Sequence, residues 1–79
     1  MKTIDQTISV NAFYFANGLT TRIFPKRIEW ENSDYTFTDG MQYLIKKGKE
    51  VVRLFDMSDG STIFRIKQEG NIWTLISTR

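Results

Sequence analysis

Apolar and polar positions alternate in short runs along this chain, and the runs are separated by turn residues. ISVNAFYF (8–15) is rich in β-branched and aromatic types, which pack well on a pleated surface. Asn17-Gly18 follows, a pair that supplies the positive φ angles of a type I′ hairpin turn, and LTTRIF (19–24) reads as the returning strand. Pro25 has no N–H to donate, so it belongs at a sheet edge or a break. KRIEW (26–30) places Ile28 and Trp30 on one face, and YTFT (35–38) does the same with Tyr35 and Phe37. Between them ENSD (31–34) is turn material. EVVRLFDM (50–57), STIFRIK (61–67) and IWTLIST (72–78) are three further strands, the last two joined by a tight turn at Glu69-Gly70-Asn71.

One segment, TDGMQYLIKKG (38–48), carries a different period. Met41, Leu44 and Ile45 stand at i, i+3 and i+4. Thr38 or Asp39 can cap a helix, Lys46 and Lys47 suit its C-terminal end, and Gly48 stops it. The alternative is a hairpin turning at Asp39-Gly40, which would pair Phe37 with Gln42 and mix the faces. The pattern therefore predicts one short helix near 39–47. The TDG and SDG triplets at 38–40 and 58–60 are read as turn chemistry and not as a repeat.

Taken together, residues 1–79 read as a single small all-β domain: an antiparallel meander of five to seven strands that closes into an SH3-like barrel or a strongly bent sheet, with that one helix. The expected core is Val10, Phe13, Phe15, Ile28, Trp30, Phe37, Leu44, Leu54, Phe64, Ile66, Trp73 and Leu75. Residues Phe13, Tyr14 and Phe15 are consecutive, so both faces of that segment are apolar and cover on both sides is expected, with a protein partner or a second copy of the chain as the candidates.

Composition narrows the chemistry. A hydrophobic share of 41% is enough for a core and argues against disorder. The chain has no cysteine and no histidine, which removes thiolate ligands, disulfides and the commonest general base. No apolar run approaches the roughly 20 residues of a membrane helix, and Asp5 and Gln6 interrupt any signal-peptide core. A soluble, cytoplasmic protein without membrane association is expected.

LFDMSDGS (54–61) is the one stretch that suggests a metal loop. With Gly60 at the sixth position of a calcium loop, Asp59 fills the fifth, but Met57 and Phe55 occupy the third and first, and Ile66 stands where the closing glutamate is needed. The spacing fits a turn instead, with Ser58 and Asp59 in the right-handed region and Gly60 in the left-handed position of a bulge. The carboxylate pairs Asp56/Asp59 and Glu29/Glu31 lack any sign of a cleft, no serine has an activating base at nucleophile spacing, and no phosphate loop is present. The sequence is read as non-enzymatic, with no cofactor, no metal and no small-molecule substrate.

What remains is charge beside aromatics. Residues 1–40 hold four bases and five acids, residues 41–79 seven bases and four acids, so the basic surplus of this +2 chain lies in the second half. Lys46, Lys47 and Lys49 form a basic run, and Arg53, Arg65 and Lys67 follow on later strands. With Tyr43 they make the expected binding surface. Ile63, Arg65 and Lys67 share the solvent-facing side of their strand, opposite Phe64 and Ile66. Tyr14, Tyr35, Tyr43 and Trp73 are candidates for base stacking. Two roles fit such a surface: a module for protein–protein contacts, self-association included, and, as the alternative, a small barrel that binds single-stranded nucleic acid.

Val10, Ala12 and Phe13, then Gly18, Pro25, the Trp30/Tyr35 hairpin and the closing Trp73-x-Leu75, give a pattern that resembles a family of short bacterial β-rich proteins of unknown function. The resemblance spans most of the chain and implies a compact β-rich domain; it carries over no catalytic residue. In that pattern a glycine stands in the hairpin before the tyrosine, where this chain has Asn32-Ser33-Asp34.

Overall fold

The computed structural model describes residues 2–16 and 22–79, without the side chains of Lys2, Phe15, Ala16 and Arg22. Seven strands make up its regular structure: β1 (Lys2–Ala16), β2 (Arg22–Trp30), β3 (Ser33–Thr36), β4 (Asp39–Lys47), β5 (Glu50–Ser58), β6 (Ile63–Glu69) and β7 (Ile72–Thr78). They form one antiparallel sheet in the order β3-β2-β1-β7-β6-β5-β4, curled into a half barrel. The expected all-β meander is present.

One strand, β1, serves both halves of the curl. The first part of β1, Lys2 to Ile8, pairs with β7, and its second part, Ser9 to Ala16, pairs with β2. Register shifts between Val10 and Phe13 and between Thr3 and Gln6 bend it, the second with Asp5 at φ 56°. Strands that pass between sheets through bulges are how corners are made. The other corner is β3–β4. Alternation along the sheet order makes both run in the same sense, so the chain leaves one sheet edge and re-enters at the other. Phe37 N–H donates to the Lys26 carbonyl on β2 at 2.7 Å, and Thr38 N–H to the Ser58 carbonyl on β5 at 2.8 Å. Phe37, fully buried, plugs this corner against Phe64, with ring centroids 5.3 Å apart.

The core lies inside the curl: Ile8, Phe24, Ile28, Phe37, Phe55, Met57, Phe64, Ile66 and Leu75, with Val10, Tyr14, Trp30, Tyr35 and Trp73 packed around it. Phe24, Phe55 and Trp73 form a chain of ring contacts at 6.1 and 5.5 Å. Burying these side chains contributes about 1.5–3 kcal/mol each and is the main stabilising term. The Trp30 indole N–H donates to Gln6 Oε1 at 2.8 Å and ties β2 to β1.

Several expectations need correction. The 39–47 segment is a strand, not a helix: each residue from Asp39 to Lys47 pairs with β5, and the two-residue Gly48-Lys49 turn reverses the chain. A partner strand of matching length outweighs a weak helical period. Leu44, expected in the core, is exposed because the end of this hairpin reaches beyond the barrel's cover. Phe13 is 45% exposed, because the bulges around Val10–Phe13 turn Tyr14 towards the core instead. Residues 22–24 and 26–30 belong to one strand: β2 runs through Pro25, which is buried at a register shift and lies outside the β2–β3 ladder; the start of the expected 19–24 strand lies outside the described residues. The expected Asn17-Gly18 turn lies outside the described residues, as does the side chain of Phe15.

Candidate functional site

The two acids of LFDMSDGS are held by the fold itself. Asp59 Oδ1 accepts from Ser61 N–H at 2.9 Å, Thr62 N–H at 2.8 Å and Ser61 O–H at 3.2 Å. Those donated bonds keep the Asp59 carboxyl below its ordinary value, the backbone N–H groups of Ser61 and Thr62 being the main cause. The turn is a four-residue loop, Asp59 to Thr62, and not the tighter bulged turn expected, since Ser58 stays in β5 opposite Ile63. Gly60 does take a positive φ, 103°. Asp56 stands opposite Arg65 and accepts both of its contacts, from Nε and Nη2 at 2.8 Å each. This two-pronged bond lowers the Asp56 pKa and raises that of Arg65. Among the described residues no three metal-ligating side chains of histidine, cysteine, aspartate or glutamate gather.

Strand register decides which of the expected surface residues share a face, because side chains opposite each other in neighbouring strands point the same way. Tyr43, Leu54 and Lys67 form one row on the outer face of the sheet. Met41, Asp56 and Arg65 form the row beside it, and Ile45 with Val52, which is buried, the one on the other side. Lys47, opposite Glu50, has the same outward parity. Lys46 and Arg53 have the opposite parity: they fall on the inner face, opposite Val51 and Leu44, at the uncovered end of the β4–β5 hairpin. Lys49 sits in the turn. The structure therefore brings Tyr43, Lys47, Arg65 and Lys67 to one face and separates Lys46, Lys49 and Arg53 from them.

Two of the outward cations also have anionic partners. Arg65 is bound to Asp56, and Lys67 Nζ lies 2.9 Å from Glu69 Oε1. Glu69 sits below its ordinary pKa, held first by Lys67 and more weakly by Lys47. An exposed pair such as Lys67–Glu69 adds little stability, but it lowers the local positive potential. Of the stacking candidates, Tyr14, Tyr35 and Trp73 pack against the core, and Tyr14 is stacked on Phe24 with its hydroxyl pKa raised by burial. Tyr43 alone of the four is exposed.

The feature that sequence reasoning missed is the edge itself. Strand β4 ends the sheet, and among the described residues no strand pairs with its outer side. It presents Met41 at 60% exposure, Tyr43 at 41%, Leu44 at 65% and Ile45 at 39%, with Val51 of β5 beside them at 50%. The signal was present in the chain as MQYLI (41–45), a run whose apolar residues fall on both faces of a strand. The helical reading turned those side chains inward and concealed it. The opposite edge, β3, is built differently: four residues, SDYT, with Ser33, Asp34 and Thr36 exposed. A short, polar edge is protected against strand addition, whereas a long apolar one invites it.

No helix among the described residues is long and apolar enough to cross a membrane. No protein family, curated protein or solved structure matches this chain. What the surface can bind is therefore read from its own geometry.

Proposed function

We propose that this chain is a non-enzymatic binding module that makes protein–protein contacts by strand addition to β4. The observation that carries this reading is the contrast between the two edges of one sheet. Edge β3 is short and polar, whereas β4 offers nine residues of backbone and four large exposed apolar side chains. Open backbone N–H and C=O groups give affinity to an extended partner, and alternate side chains give selectivity. The curled sheet, taken as an SH3-like partial barrel, suits the role: its core is buried and, among the described residues, no strand pairs with the outer side of its β4 edge.

Site-specific crosslinking tests it. A benzoylphenylalanine placed at Gln42 or Leu44 should yield adducts with another polypeptide in the native cell. The same group at Asp34 on β3 should not. Equal yields from both edges, or none from β4, would end the reading.

A further inference from the structure

The geometry points to a second copy of this chain as the occupant of the β4 edge, paired antiparallel about Tyr43. The inference rests on the strand-addition reading above and names its partner.

Strand β4 is self-complementary in one orientation. Its sequence is DGMQYLIKK, with Asp39 at one end and Lys46-Lys47 at the other. Laid antiparallel on itself about Tyr43, it sets Asp39 opposite Lys47 of the second copy and Met41 opposite Ile45. Tyr43 then faces Tyr43, and Gln42 faces Leu44. Asp39, Met41, Tyr43, Ile45 and Lys47 share one parity, so the apolar side chains of both copies meet on one face, flanked at each end by an opposite-charge pair. Cross-strand aromatic, aliphatic and opposite-charge pairs all stabilise a sheet. Parallel pairing in register would instead stack Asp39 on Asp39 and lysine on lysine. Pairing β4 with the β3 edge of the next copy would not close and would propagate as a fibre, and β3 is too short and polar to hold nine residues. The antiparallel pairing has two-fold symmetry, so it buries both open β4 edges and ends with a dimer.

Charge exchange tests the register. Asp39 also accepts from Gly40 N–H at 2.8 Å, and Lys47 stands opposite Glu50 in its own chain, so the amide spectrum of each variant is the check on folding. At low ionic strength, Lys47→Asp should raise the dimer dissociation constant about tenfold, and Asp39→Lys should do the same, because two attractive pairs become repulsive in each dimer. The double variant Asp39→Lys/Lys47→Asp should return to the dissociation constant of the unmodified chain. A thiol provides a second readout. The chain has no cysteine, so Tyr43→Cys carries a single one. Opposed Cα atoms in an antiparallel pair are within disulfide reach, and Tyr43→Cys should oxidise to a linked dimer much faster than Asn71→Cys in the β6–β7 turn.

Three results would overturn the inference: a monomer at all concentrations, a dimer indifferent to both single charge changes, or equal oxidation at 43 and 71. If these occur while crosslinks from Gln42 or Leu44 still reach a different protein in the cell, the docking edge survives and only its occupant is reassigned. If those crosslinks are absent too, both readings fall.

Discussion

Gly40 lies directly opposite Met57, and the missing side chain of the one makes room for the other. A Cβ at Gly40 would overlap Met57 Sδ and lie 2.6 Å from Met57 Cε, inside van der Waals contact. Met57 is fully buried, so its thioether has little space to retreat. Gly40→Ala should cost about 1–3 kcal/mol through overpacking. Met57→Ala alone should cost about 2–5 kcal/mol. Combined, the two should cost less than their sum, because alanine at 57 vacates the space that alanine at 40 needs. Urea unfolding of the four proteins measures this; strict additivity would show that the two sites do not meet.

The β2–β3 turn uses two residues that resist its geometry. Glu31 and Asn32 have φ angles of 52° and 61°, and Trp30 pairs with Ser33 across them, as in a type I′ hairpin. Asparagine tolerates the left-handed region and glutamate does so poorly. Replacing Glu31-Asn32 with Asn-Gly should stabilise the domain by about 0.5–1 kcal/mol. A thermal melt with an unchanged or lower midpoint would contradict the turn assignment.

Acid should weaken the domain in a traceable way. Asp56 and Asp59 both have lowered pKa values, the first through its bond from Arg65, the second through backbone N–H groups. A lowered folded-state pKa gives stability that is present above the ordinary aspartate value of about 3.9 and lost as pH falls through the lower folded value. Asp59→Ala should cost about 1 kcal/mol at neutral pH, since three donated bonds lose their acceptor. Asp59→Asn keeps an acceptor oxygen and should flatten part of the acid limb. Denaturant midpoints taken across the acid range would reveal a wild-type slope if the carboxylates matter, and none if they do not.

Nucleic acid gives a contrasting expectation. The basic residues are split between two faces, and Arg65 and Lys67 are already bonded to carboxylates. Single-stranded oligonucleotides at low salt should therefore produce only small amide shifts at Lys46, Lys47, Lys49 and Arg53. Large shifts there that fade steeply with added salt would favour the nucleic-acid alternative instead.

Local patterns were legible in the chain where one face is fully covered. Phe64 and Ile66 are buried, and Ile63, Arg65 and Lys67 alternate with them on the outer face, as the period of two requires. Ile28, Phe37 and Leu75 were readable for the same reason. The pattern misled where covering is incomplete. Leu44 has core-facing parity but stands beyond the neighbours that would bury it, so 41–45 looked like one side of a helix. Phe13 was misplaced because bulges in β1 shift the faces, and a bulge leaves no mark in a run of three aromatics. The pairing of β1 with β7 joins the two ends of the chain, and the β3–β4 corner sends one strand between two edges; neither is encoded in local period. The basic residues were found, but their separation depends on register, which is fixed only once β4 has a partner in β5.

The central claim is that β4 is an open edge closed by β4 of a second copy. The direct test is an isotope-filtered NOE experiment on a mixed sample of labelled and unlabelled chains. Met41 and Ile45 of one chain lie far apart along the strand, so a contact between the Met41 methyl of one copy and the Ile45 methyls of another reports the proposed register alone. The account predicts that cross-peak, together with slowed exchange of β4 amides as concentration rises. Intermolecular peaks between other surfaces, or none at a concentration where the chain is dimeric, would contradict it.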